Sequence, residues 1–291
     1  MKSEFQLIAP AGKASDDKLA AASPAMEAFD YHLKKDYFYY SPLSYLAAPD
    51  KQRAESLTDA WLGNDPLICL RGGYGCARLL DMIDWDSLRS SQNILIGHSD
   101  ITALHLAFLK HGLKRTISGI MAAAEFTRSP DTKLTLKSFD QCLRGELFSH
   151  TWSPAFSTQE SFKVSGKLIP VTLSVLTSLI GSQHLPDFEN SILILEDINE
   201  APYKIDRMLH QLKQSQLIDS VSAIVMGDFN NCGQEHELHE VFADFAKDFS
   251  FPIIDNLPFG HCLPRLNLPV GAEAMLELET NKEATLTITR Y

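Results

Sequence analysis

The apolar positions fall into short runs separated by longer stretches with helical spacing. Phe5 to Ala9 is apolar apart from Gln6 and is stopped by Pro10 and Gly12, which predicts a short buried first strand. Residues 66–71 (Pro-Leu-Ile-Cys-Leu-Arg) form a second run, followed at once by Gly72-Gly73-Tyr74-Gly75. Ala77, Leu79, Leu80, Met82 and Ile83 then suit a helix. Asn93 to Ile96 predicts a third strand. It passes through Gly97-His98-Ser99 into a helix entered at Asp100, with Ile101, Leu104 and Phe108 on one face and Gly112 at its end. Short apolar strands alternating with helices predict an α/β fold with a parallel sheet.

Residues 150–166 break this rhythm, being rich in Ser, Thr and turn formers. They divide the chain into an N-terminal α/β domain (1–150), a linker (151–165) and a C-terminal domain (166–291). In the second part, Ser191 to Leu195 predicts a strand ending at Glu196-Asp197. Ile205, Met208, Leu209 and Leu212 then make a helical stripe, and Val221 to Met226 another strand. The C-terminus reads as a hairpin. Met275 to Leu278 leads to a polar turn near Asn281, after which Leu286 and Ile288 alternate with Thr285, Thr287 and Thr289.

Composition narrows the function. A net charge of −11 provides no electrostatic footprint for a phosphate backbone, so no nucleic-acid partner is expected. Nowhere do about 18 apolar residues run together, so no membrane span is expected. The apolar run within the first ten residues is too short for a signal segment. The five cysteines (69, 76, 142, 232 and 262) are odd in number and form no C-x-x-C pair. They fit reduced thiols and a cytoplasmic location.

The candidate chemistry centres on Ser99. A reactive serine needs a sharp strand-to-helix turn, which frees its hydroxyl and aims the following backbone N–H groups at a developing oxyanion. Gly97-His98-Ser99-Asp100 has that layout, with Ile101 where a G-x-S-x-G motif would have its last glycine. The commoner reading of such a Ser-Asp pair is a helix N-cap. The glycine loop 72–75 matches neither a dinucleotide nor a P-loop pattern. Its use would be a backbone N–H completing an oxyanion hole with that of Asp100; otherwise it is simply a tight turn. The serine needs a base, and the base an orienting acid. His98 adjoins Ser99 but points to the opposite face; His105 and His111 on the following helix suit core or surface roles. His236 and His239, in His-Glu-Leu-His, are one residue short of the zinc signature, so no metal is expected. His261, among the turn residues of Phe259-Gly260-His261-Cys262-Leu263-Pro264, is the best base, and Glu196 at the end of a buried strand the best acid. Asp197 and Glu200 are rivals for the acid, and a structural pairing with Arg207 is the alternative use of Glu196.

At these residues the chain resembles the LD-carboxypeptidase family of serine peptidases, which includes the murein tetrapeptide carboxypeptidases. The matching stretches are Leu7-Ile8-Ala9-Pro10, Arg71-Gly72-Gly73-Tyr74-Gly75, Gly97-His98-Ser99-Asp100, Ile194 to Glu200, Asp206-Arg207-Met208-Leu209, and Gly260-His261 followed by Leu268-Pro269-Val270-Gly271. The resemblance implies a Ser99–His261–Glu196 triad and an oxyanion hole of the Asp100 and Gly73 N–H groups. The substrate edge would include Gly72 and Tyr74. It implies an N-terminal domain shaped like class I glutamine amidotransferases and a smaller β-rich C-terminal domain, with the site between them. The implied reaction needs no cofactor. It releases terminal D-alanine from L,D-linked muropeptide tetrapeptides during peptidoglycan recycling, and a homodimer is implied as well.

Two departures stand out. Pro170-Val171-Thr172 replaces the family's Gly-Gly-Asn, which could reshape the substrate pocket, and Gly119-Ile120-Met121 replaces Gly-Pro-Met. Three other readings are kept beside the carboxypeptidase: a self-immunity peptidase acting on a peptidyl-nucleotide antibiotic, a non-catalytic muropeptide-binding protein, and a glutamine-amidotransferase-like enzyme. The last would want Cys at position 99.

Overall fold

The computed structural model describes residues 3–291 apart from 129, 131 and 281. The turn expected at Asn281 therefore falls on a residue outside those described. The chain begins with β1 (Ser3–Ile8), α1 (Asp16–Glu27), β2 (Tyr31–Lys34), α2 (Asp50–Leu62), β3 (Leu67–Cys69), α3 (Trp85–Leu88) and β4 (Leu95–Gly97). It continues with α4 (Thr102–Lys110), β5 (Thr116–Ser118), α5 (Lys137–Arg144), β6 (Ser149–Trp152), β7 (Phe162–Thr172) and α6 (Leu173–Ser178). The remainder is β8 (Ser191–Ile198), α7 (Pro202–Gln214), β9 (Ala223–Asn230), α8 (Glu235–Ala246), β10 (Ile253–Ile254), β11 (Leu268–Val270), β12 (Glu273–Leu278) and β13 (Ala284–Arg290).

Two sheets result. The first has the order β11-β5-β4-β3-β1-β2 and is parallel except for β11, which pairs antiparallel with β5. Its strands are short, and β3, β4 and β5 are buried throughout, as parallel strands covered on both faces must be. The second has the order β10-β9-β8-β7-β12-β13-β6. It is parallel from β10 to β7 and antiparallel from β7 to β6. The chemistry of the strands follows this division. β8 carries a continuous apolar run, Ile192–Leu195, and is buried on both faces, whereas β12 alternates inside and outside along its length.

Several boundaries differ from the sequence reading. The stretch expected as a linker contains the end of β6 and the start of β7, leaving 153–161 between strands. β11, expected in the C-terminal domain, completes the first sheet. The segment after the glycine loop is a 3₁₀ helix (Cys76–Met82) and not an α-helix. The Arg78 N–H bonds the Gly75 carbonyl three residues back, and the Asp100 carboxylate takes the Cys76 N–H at 2.8 Å. β4 begins at Leu95 because Asn93 is otherwise engaged: its side chain caps its own strand entry and donates to the Asp65 carbonyl at 2.9 Å. β8 runs on through Glu196 and Asp197 to Ile198.

Among the described residues, one of the three buried clusters spans both sheets. Leu104 and Phe108 of α4 belong to the same buried cluster as Val171 of β7, Leu176 of α6, and Leu193 and Leu195 of β8. Helix α4 packs on α6 and β7, and β11 on β7. Anything at the C-terminal ends of β4 and β8 is therefore held in register by a close-packed interior.

Candidate active site

Ser99 follows β4 after one residue, His98. His98 is extended, and Ser99 has φ +63°, a left-handed conformation that costs a side-chain-bearing residue about 1–2 kcal/mol. The backbone then turns through a short 3₁₀ helix (Ser99–Ile101) into α4, so the α-helix starts at Thr102 rather than at Asp100. The expected alternative of an N-cap does not describe these residues. The Ser99 hydroxyl makes no hydrogen bond among the described residues. Asp100 is buried, its carboxylate bonds the Cys76 N–H across the glycine loop, and burial raises its pKa. A left-handed serine at a strand-to-helix corner, half-exposed with a free hydroxyl, has the geometry of a nucleophile turn.

The glycine loop closes over this serine. A Cβ on Gly72 would lie 2.7 Å from the Ser99 Cβ and 2.9 Å from its Oγ, so only glycine lets the loop approach this closely. Gly73, with φ +115°, packs against Gly12. The loop is anchored from below by Arg53, which is fully buried. Arg53 donates to the carbonyls of Ala48, Pro10 and Gly75 and pairs with Asp50. Asp50 in turn holds Arg78, and the two guanidinium groups keep its carboxyl below the usual carboxylate range. Tyr74 is exposed and meets Tyr45 edge to face at 5.8 Å. With Gly12, Arg71 and Gly73 the two rings border a recess of about 340 Å³.

Glu196 and His261 meet beside this turn. Glu196 is 1% exposed, and its Oε2 accepts from His261 Nδ1 at 2.7 Å. Its Oε1 accepts the hydroxyl of Thr172, the residue opposite it in the β7–β8 register. Burial alone would raise the pKa of Glu196 and lower that of His261. The hydrogen bond and charge they share outweigh burial in both, so Glu196 stays ionised and His261 holds its proton above the ordinary histidine range. With Nδ1–H given to Glu196, Nε2 is left as the basic nitrogen. Gly260, with φ +139°, sets His261 at this point; a Cβ there would meet the Asp228 carbonyl at 3.0 Å and the Glu196 Cβ at 3.1 Å. No hydrogen bond joins Ser99 to His261 among the described residues. Such bonds are often long until substrate is bound.

The rivals lie elsewhere. Strand alternation turns Asp197 to the opposite face, where it accepts the Ser174 N–H at 2.7 Å and burial raises its pKa to about 6. Glu200 pairs with Lys204 at 2.9 Å. His105 is fully buried and bonds the Gly97 carbonyl at 2.8 Å; His111 stacks on Trp85. His239 pairs with Asp255 at 3.3 Å while His236 is exposed.

Sequence reasoning missed a second buried histidine–carboxylate pair. His98 Nε2 lies 3.0 Å from Glu125 Oε1, and the His98 ring meets the His261 ring edge to face at 4.8 Å. Burial lowers the pKa of His98 to about 4, so this neighbour is neutral. Glu125 also accepts the Met121 N–H at 3.0 Å. Its signal was a single acid following Ala122-Ala123-Ala124, an apolar setting that a carboxylate enters only when paired. The Ile120 departure has a local use, since its N–H donates to Asn267 Oδ1 at 2.8 Å, a bond proline would forfeit.

An α/β fold with a strained serine at a strand-to-helix corner beside a buried Glu–His pair has the layout of a serine hydrolase. Residues 6–119 match the model of the LD-carboxypeptidase N-terminal domain and residues 165–276 that of the C-terminal domain. The chain belongs to the LD-carboxypeptidase family and is a serine-type carboxypeptidase. It is 33% identical over 288 residues to the murein tetrapeptide carboxypeptidase of Pseudomonas aeruginosa, covering 93% of this chain and 92% of that protein. The crystal structure of muramoyltetrapeptide carboxypeptidase from Oxalobacter formigenes superposes with a TM-score of 0.89 at 31% identity, covering 99% of each chain. The microcin C7 self-immunity protein MccF of Escherichia coli is 26% identical over 277 residues, covering 84% of this chain and 80% of its own.

Proposed function

We propose that this protein releases the terminal D-alanine from L,D-linked muropeptide tetrapeptides, with Ser99 as nucleophile, His261 as base and Glu196 as the orienting acid. What supports this reading is the φ of +63° at Ser99, next to His98, whose ring meets that of the Glu196-bound His261 at 4.8 Å. His261 Nε2 takes the Ser99 proton as Oγ attacks the carbonyl of the L-centred residue. The Asp100 and Gly73 N–H groups hold the oxyanion, and the contact between Gly72 and Ser99 supports a loop in range of it. His261 then protonates the departing D-alanine amine. Water, deprotonated by the same histidine, hydrolyses the acyl-enzyme and restores Ser99. Gly72 and Tyr74 would border the peptide, joined by Tyr45 across the recess. The family resemblance extends the proposal to a cytoplasmic recycling role, a homodimer and division into domains at 1–150 and 166–291.

The likeness to a protein named for self-immunity to microcin C7 favours a second reading, a peptidase acting on a peptidyl-nucleotide. Mass spectrometry of products from a tetrapeptide muropeptide and from a peptidyl-nucleotide separates the two. D-Alanine release from the tetrapeptide alone supports the first. Cleavage of the nucleotide conjugate alone replaces it with the second, and binding of tetrapeptide without turnover would make the protein a non-catalytic binder.

A further inference from the structure

The Pro170-Val171-Thr172 segment reads in the sequence as a change to the substrate pocket, but Thr172 is buried, and its contacts run to the catalytic acid. The backbone explains why. Leu168 directs both its N–H and its carbonyl toward the β11–β12 side, bonding the Ala272 carbonyl and the Gly271 N–H at 2.8 Å each. Alternation gives Pro170 and Thr172 the same orientation, away from β8. Pro170 therefore forfeits no bond to β8. The β12 ladder ends at Lys167, so among the described residues no strand pairs with Thr172 on that side. Its N–H is taken instead by the Thr102 hydroxyl, at 3.2 Å.

The proton directions follow from the donor inventory. Ionised Glu196 can only accept, so the Thr172 hydroxyl must spend its one proton on Oε1. The Thr172 oxygen is then an acceptor, and the Thr102 hydroxyl faces it at 3.5 Å. Thr102 is the first residue of α4, three residues after Ser99, whereas Thr172 and Glu196 belong to the other sheet. A chain of polar contacts thus runs from the nucleophile element through Thr102, Thr172 and Glu196 to His261. Proline and two β-branched residues stiffen the strand end that carries it.

Building on the triad reading above, we propose that the Thr102–Thr172 hydroxyl pair is a positioning strut that registers the Ser99 turn against the Glu196–His261 pair and fixes the carboxylate that orients His261. Among the described residues neither threonine hydrogen-bonds Ser99 or His261. Removing a hydrogen bond to a buried charge costs about tenfold to a hundredfold in an equilibrium, and a loss of about tenfold or more is expected in kcat. Without the Thr172 donor the carboxylate becomes more basic and the pair holds its proton more tightly, so the acidic limb of the pH–rate profile moves to higher pH.

The test compares wild type, Thr172→Val, Thr172→Ser and Thr102→Val in two measurements. One is the pH profile of D-alanine release. The other is the low-field His261 Nδ1–H resonance without substrate, identified by its loss in His261→Ala. Thr172→Val should lose about tenfold or more in kcat, shift the acidic limb upward and displace the resonance, and Thr172→Ser should restore all three. Thr102→Val keeps the Glu196 bond but loses the contact to the nucleophile helix, so it should lower kcat with little displacement of the resonance. An active wild type matched by Thr172→Val in rate, limb and resonance would overturn the strut. A wild type that releases no D-alanine would refute the functional reading instead, and the resonance would still decide the strut's hold on Glu196. Should Thr172→Val fail to fold, Thr172→Ser and Thr102→Val decide: wild-type behaviour in Thr102→Val refutes the strut.

Discussion

Replacing Ser99 with glycine should inactivate the protein and stabilise it at the same time. Ser99 sits at φ +63°, where a residue with a Cβ is strained by about 1–2 kcal/mol and glycine is not. Glycine returns part of this gain through its greater freedom in the unfolded chain, about 0.5–1 kcal/mol. The Ser99 hydroxyl makes no hydrogen bond among the described residues, so its removal leaves no partner unsatisfied. Ser99→Ala keeps the Cβ and the strain while removing the same hydroxyl, which makes it the proper reference. Ser99→Gly should therefore exceed Ser99→Ala in stability by about 0.5–1 kcal/mol. At a urea slope of about 3 kcal/mol per M this raises the midpoint by about 0.2–0.3 M with the slope unchanged. Urea unfolding followed by circular dichroism measures the difference. A glycine variant no more stable than the alanine variant would show that the turn stores no strain, removing the main reason to read Ser99 as a presented nucleophile.

Gly72→Ala places a methyl 2.7 Å from the Ser99 Cβ, so the loop or the serine must move, and kcat should fall about a hundredfold with the fold retained by circular dichroism; a rate close to wild type would contradict the contact. The acidic limb of kcat/KM should inflect above the ordinary histidine value of about 6.5, because the base must be neutral and Glu196 outweighs burial in raising its pKa; an inflection below that value would exclude the Glu196–His261 pair as the base. Acid stability tests the buried His105, whose pKa burial lowers from 6.5 to about 4. The unfolded chain binds this proton first, so its contribution is fully present above 6.5 and is lost as the pH falls toward 4, amounting to roughly 3 kcal/mol. His105→Gln should flatten the dependence of the urea midpoint on pH over this window, and an unchanged slope would refute the assignment.

What could be read from the chain was whatever local pattern encodes. The continuous apolar run of β8 and the alternating hairpin of β12 and β13 are one- and two-faced burial written directly in residue order. Ser99 was legible as a turn because glycine precedes it and a helical stripe follows. Its left-handed backbone was not, since the rest of the fold imposes that conformation. Register was equally hidden. Thr172 meets Glu196 only because β7 and β8 pair with those residues opposite, and nothing local announces a pairing across 24 positions. The His98–Glu125 pair spans 27 positions and closes only once β4 and the segment after β5 are packed together. The linker was misplaced for a related reason. β6 is an edge strand whose polar Ser149-His150-Thr151 face mostly outward and whose Trp152 alone is buried, so its composition reads as loop until β13 supplies its partner.

In the proposed reaction Ser99 attacks an L,D peptide bond ending in D-alanine. Mass spectrometry of a tetrapeptide muropeptide incubated with wild type and with Ser99→Ala tests it most directly. Tripeptide and free D-alanine are expected from wild type, and an intact tetrapeptide with a folded Ser99→Ala. Release by Ser99→Ala at the wild-type rate would contradict it.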